Sequence, residues 1–122
     1  MKTLYPPLIS IMATVATTAA IAAPVDQSAA LKALQRTNAV LIDVRTELEF
    51  AEGALPGATR IETENLAGRI AAIASDKDAP VVLYCRSGRR ASAAQDLLQD
   101  LGYSQVINAG GYQELIGLVP LR

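Results

Sequence analysis

The sequence predicts an α/β domain with a central parallel sheet and helices on both faces. Short apolar runs, Val40 to Val44, Thr59 to Glu62, Val81 to Tyr84 and Gln105 to Asn108, alternate with segments of helical spacing, a pattern that calls for parallel strands joined by right-handed crossovers. The first and third of these runs are nearly continuous, as strands covered on both sides require. Polar and glycine-rich residues gather where the runs end, at Asp43-Val44-Arg45, Cys85-Arg86 and Asn108-Ala109-Gly110-Gly111. In such sheets ligands bind at the carboxyl ends of the strands.

The first residues read as a secretory signal. Lys2 supplies positive charge, Leu8 to Ala22 carries no charge, and Ala20-Ile21-Ala22 fits a small-x-small cleavage site. Residues 1–22 are assigned to this signal and 23–122 to one domain, exported to the periplasm of a Gram-negative type of cell. The apolar run is shorter than the roughly 20 residues of a spanning helix, and Ser10, Thr14, Thr17 and Thr18 dilute it, so no stable membrane insertion is expected after cleavage.

After an extended lead from Ala23, Asp26 or Ser28 caps a helix running to about Arg36, with Ala30, Leu31 and Leu34 on its apolar side. Thr37-Asn38 breaks it before the first strand. Thr46 and Glu49 have capping-box spacing and predict a short helix that stops at Gly53. Pro56-Gly57 marks a turn before the Thr59 strand. Leu66, Ile70 and Ile73 predict a helix from Thr63 to about Ser75. Val81 to Tyr84 is the next strand, and Ala94, Leu97, Leu98 and Leu101 define a helix from Arg90 to Leu101 with Gly102 at its end. A last strand, Gln105 to Asn108, leads into a short helix or turn from Tyr112 to Ile116.

Composition prunes the functions. The chain has a net charge of -1, and without Lys2 it carries 10 basic residues against 12 acidic ones, with no basic tail or extended basic face, which argues against nucleic acid as a partner. There is no histidine, so Cys-His and Ser-His-Asp catalysis and almost any zinc site fall away. With one cysteine there is neither an internal disulfide nor a Cys-x-x-Cys pair. No metal or cofactor is called for.

That cysteine, Cys85, stands between a strand end and a helix start, where successive N–H groups and the helix dipole favour an anion or a thiolate. Arg86, Arg89 and Arg90 surround it in sequence, the kind of setting that activates a thiol. Gly88 permits the positive φ a cradle needs. The plain alternatives are a buried inert cysteine, an ordinary strand-to-helix turn, and solvated arginines.

The segment CRSGRR, with LIDVRTELEFAEGALPGA upstream and NAGGY downstream, resembles the rhodanese (thiosulfate sulfurtransferase) family, in its small single-domain exported form. The resemblance runs from roughly Leu31 to Leu115. It implies the rhodanese-like three-layer fold and a sulfurtransferase moving sulfane sulfur from thiosulfate to cyanide or a thiol, a small molecule or a thiol-bearing protein, through a persulfide on Cys85. The loop Cys85 to Arg90 corresponds to the active-site loop, so the N–H groups of Arg86, Ser87, Gly88, Arg89 and Arg90 resemble the substrate cradle, with Arg90 as its closing arginine. Asp43 and Arg45 match a supporting Asp-x-Arg motif. Ala54 stands where the family usually has histidine, leaving the packing there open. Two alternatives remain: a sulfur carrier or redox-sensing thiol, and a cysteine phosphatase or arsenate reductase. The phosphatases resemble Cys-x5-Arg, where this chain has Ala91 and its arginine one residue early.

Overall fold

The computed structural model describes residues 24–120; the segment read as a signal, residues 1–22, lies outside the described residues. Four parallel strands, β1 (Val40–Asp43), β2 (Thr59–Arg60), β3 (Val81–Cys85) and β4 (Val106–Gly111), form one sheet in the order β2-β1-β3-β4. The helices are α1 (Gln27–Ala33), α2 (Glu47–Ala51), α3 (Thr63–Ile73), α4 (Arg89–Asp100) and α5 (Tyr112–Leu115). Among the described residues no helix is long and apolar enough to cross a membrane.

The expected layers are present. On one face, α3 and α4 bury Leu66, Ile70, Ala91, Ala94 and Leu98 against Ile42, Val81, Leu83 and Cys85. On the other, α1 and α5 bury Ala30, Ala33, Leu34 and Leu115 against Leu41, Val82 and Tyr84. Every residue of β3 is buried, and its side chains alternate between the two cores, as strand geometry requires. Cys85 therefore faces α4, and Tyr84 faces α5.

Local chemistry sets the element ends. Asp26 accepts from the Ala29 N–H at 3.0 Å as the N-cap of α1. That helix stops at Ala33, short of Arg36, because Gln35 and Arg36 bond three residues back, to Lys32 and Ala33, tightening the chain into a 3₁₀ turn. Thr46 and Glu49 close the predicted capping box on α2. α3 ends at Ile73 rather than Ser75, and the Ala74 carbonyl instead accepts from the Tyr103 hydroxyl at 2.7 Å. Beyond α4, Gly102 donates to Gln99 and Tyr103 to Leu98, the Schellman pattern.

The main departure is β4, which runs through Gly111 instead of stopping at Asn108. Leu83 pairs with Asn108, but Tyr84 pairs with Gly110 and Cys85 with Gly111. Ala109 is the extra residue of a bulge, which lets the pairing continue past a polar and glycine-rich segment.

Packing predicts a sharp contrast between two leucines. Leu66 is fully buried, whereas Leu48 is 71% exposed. Leu66→Ala is expected to cost about 2–5 kcal/mol in urea unfolding, and Leu48→Ala about 0.5 kcal/mol or less.

Candidate active site

The loop from Cys85 to Arg90 crosses from the end of β3 to the start of α4, and Gly88 shapes it. Gly88 has φ 87°, the left-handed region, and serves as the N-cap of α4 without a capping side chain. Its N–H donates to Cys85 Sγ at 2.8 Å. The N–H groups of Ser87, Arg89 and Arg90 have no acceptor among the described residues, so the first turn of α4 offers free donors beside the sulfur. Cys85 itself is fully buried, under the loop rather than on its surface. Burial is what the inert reading of this cysteine required; the free donors beside it are what that reading lacked.

β4 fixes the loop from behind. Asn108 Nδ2 donates to the Gly88 carbonyl at 2.9 Å and to Ser92 Oγ at 3.0 Å, while its Oδ1 accepts from the Gly110 N–H at 2.9 Å. Gly111 lies so close to the loop that a Cβ there would stand 2.6 Å from the Arg86 carbonyl oxygen. The bulge thus brings a side-chain clamp and a bare backbone against the loop.

Asp43 and Arg45 form a buried pair at the carboxyl end of β1. Arg45 donates through its backbone N–H to Asp43 Oδ1 at 2.8 Å, through Nε to both carboxylate oxygens, and through Nη2 to Asp43 Oδ2 and the Gly53 carbonyl, each at 2.7 Å. Its guanidinium lies 4.2 Å from the centre of the Tyr112 ring and 5.4 Å from that of Tyr84. Burial works against the Arg45 charge, but the bonds to Asp43 outweigh it and the pKa is raised. Burial, reinforced by Asp43, also pushes the Tyr84 phenol up. That phenol accepts from the Leu55 N–H at 3.1 Å, so the turn beside Ala54 is anchored without a histidine.

The loop arginines divide. Arg90 does not extend freely toward a substrate: it makes a two-pronged ion pair with Glu49, Nη1 to Oε1 at 2.8 Å and Nη2 to Oε2 at 3.0 Å. The bond to Glu49 raises the Arg90 pKa against burial, with a smaller electrostatic contribution from Cys85. Arg86 and Arg89 are exposed, as is Ser87, and their side chains make no ion pair among the described residues. Arg86 opens onto a groove of about 340 Å³ shared with Arg45, Glu49, Glu52, Tyr112 and Gln113. Glu49 and Asn108 are site residues that the sequence reading did not assign. Thr46 and Glu49 were visible only as a capping box, and Asn108 only as a polar strand end.

Residues 26–117 match the family model described as a rhodanese-like domain. The chain is 35% identical over 74 residues to the thiosulfate sulfurtransferase PspE of Escherichia coli, covering 61% of this chain and 71% of that protein. It is 39% identical to a sulfurtransferase of Allochromatium vinosum, over 59% of this chain and 65% of that one. Among solved structures, an Escherichia coli rhodanese with anions superposes with a TM-score of 0.63 at 33% identity, covering 67% of this chain and 94% of that one. A human single-domain sulfurtransferase, TSTD1, gives a TM-score of 0.62 at 30% identity, covering 77% and 96%.

The Glu49 pair predicts a pH dependence. The bond from Arg90 holds the Glu49 carboxyl down to about 2, below the roughly 4.3 of a free glutamate. A depressed acid contributes stability fully above the unfolded value and loses it as pH falls through the folded one. In urea unfolding, the advantage of the wild type over Glu49→Gln is expected to be constant above about pH 5.5 and to shrink between roughly pH 4.3 and 2. An advantage independent of pH across that range contradicts the pairing.

Proposed function

Because the chain belongs to the rhodanese-like domain family, we propose that it is a thiosulfate sulfurtransferase working by double displacement on Cys85. The Cys85 thiolate attacks the outer sulfur of thiosulfate, the S–S bond breaks, and its electron pair leaves on sulfite. An acceptor, cyanide or a thiol, then takes the outer sulfur of the persulfide and returns the thiolate. The observation that carries this reading is the Gly88 N–H held 2.8 Å from Cys85 Sγ, beside the unengaged N–H groups of Ser87, Arg89 and Arg90. Preorganised donors stabilise negative charge on sulfur without an acid-base pair, which suits a chain with no histidine.

The residues take distinct roles in this scheme. Cys85 is the nucleophile, and the backbone from Arg86 to Arg90 is the cradle. Arg86 and Arg89, with free side chains, attract the dianionic donor. Arg90 positions the loop through Glu49, and Asp43 with Arg45 supports the floor. The N-terminal segment further supports export to the periplasm.

Intact mass spectrometry tests the chemistry. Treatment of the reduced protein with thiosulfate is expected to add one sulfur atom at Cys85, and cyanide to remove it. Cys85→Ser is expected to fold, gain no sulfur and show no turnover. Sulfur gain without turnover on any small acceptor would point to a carrier, and no gain in folded protein contradicts persulfide chemistry. For export, protein from a periplasmic fraction is expected to begin at Ala23; an intact Met1 there contradicts the assigned cleavage.

A further inference from the structure

The groove beside the loop carries a charge, that of Glu52, which the thiosulfate half-reaction does not use. Arg86, which follows Cys85 directly, forms part of its lining, and its volume of about 340 Å³ is at the small end of the range for small-molecule sites. Two of its four charged groups are already neutralised, Arg45 by Asp43 at 2.7 Å and Glu49 by Arg90 at 2.8 Å. Arg86 and Glu52 are both exposed, and neither side chain has an ion-pair partner among the described residues. The groove therefore presents one unmatched cation and one unmatched anion.

Arg45 adds a solvent-facing donor to the groove. Arg45 is only 4% exposed, and Asp43 and Gly53 engage its Nε and Nη2, yet Nη1 has no acceptor among the described residues. Among the described residues Gln95 Oε1 is the one buried side-chain polar atom left without a partner, so Nη1 is not orphaned in the core but turns its donors to solvent. Arg45 contributes to the groove lining, so Nη1 is a fixed donor in the same recess as Arg86.

We propose that this groove is the acceptor subsite and that it fits a small zwitterionic thiol, such as a free amino-acid thiol. The carboxylate is taken by Arg86 and Arg45 Nη1, and the ammonium by Glu52. The proposal rests on the Cys85 persulfide of the preceding subsection. The acceptor thiol loses its proton to water, and its thiolate sulfur bonds to the outer sulfur of the persulfide. The bond from that sulfur to Cys85 Sγ breaks, its electron pair stays on Sγ as thiolate, and the acceptor leaves as a persulfide anion. No oxidant or reductant is needed.

The test is steady-state turnover of the full chain with thiosulfate and four acceptors: free L-cysteine, 2-aminoethanethiol with only the ammonium, 3-mercaptopropionate with only the carboxylate, and cyanide with neither. The kcat/KM values for the thiols are corrected for thiolate fraction. Free L-cysteine is expected to be the best thiol. Glu52→Gln is expected to lower the ratio of kcat/KM for free L-cysteine to that for 3-mercaptopropionate by about three- to fivefold, the range for a partly exposed charge pair. Glu52→Lys is expected to lower the ratio further. Ratios unchanged in both variants, or all four acceptors slowed in proportion, overturn the subsite. No turnover with cyanide in the wild type instead overturns the sulfurtransferase reading beneath it.

Discussion

The loop from Cys85 to Arg90 depends on one backbone constraint, the bulge at Ala109 in β4. It puts Gly111 opposite Cys85 and lets the Arg86 carbonyl approach where a side chain would collide. It also leaves Asn108 aimed at the Gly88 carbonyl. Gly88 in turn holds a left-handed conformation that aims its N–H at Cys85 Sγ. Sheet register, loop shape and sulfur environment are thus successive links of one chain of contacts. A bulge at the edge of a functional site is a common way to re-aim groups that a regular ladder would leave in line.

Electrostatics act around this backbone frame. Each arginine nearest the site except Arg86 and Arg89 is matched to a carboxylate, Arg45 to Asp43 and Arg90 to Glu49. Pairing keeps the guanidiniums charged and fixed, so they shape the loop and its floor instead of competing for anions. Glu49 is tied three ways, to Arg90, to the Thr46 hydroxyl and to the Thr46 N–H. The short helix α2, which buries none of its own residues, is thereby joined to the start of α4.

Much of this was legible in the sequence because it is local. Apolar runs, helical spacing and the Thr46 and Glu49 capping box each depend on a few neighbouring residues, and all reappear as elements. Cys85 and the positive φ at Gly88 are likewise short-range, whereas Asp43 and Arg45 were visible only as a motif and their pairing comes from the structure. What could not be read depends on register and on contacts distant in sequence. Arg90 meets Glu49 across 41 positions, and nothing in either segment names the other. Gly110 and Gly111 read only as the glycine-rich end of the last strand, because the bulge that pairs them with Tyr84 and Cys85 has no local signal. The full burial of Cys85 follows from the alternation of β3 between two cores, which a run buried on both faces does not reveal.

The most direct measurement is the single-turnover rate of Cys85 persulfide formation from thiosulfate in Gly111→Ala, followed by intact mass. Gly111 has an ordinary φ of −95°, so alanine acts on the loop through the contacts its Cβ makes with the Arg86 carbonyl and Ser87 Cα. If the bulge-fixed backbone makes the cysteine reactive, the folded variant forms persulfide at least roughly tenfold more slowly than the wild type. A rate within about twofold of wild type, on the same scale of positional sensitivity, would contradict the dependence of sulfur chemistry on those contacts.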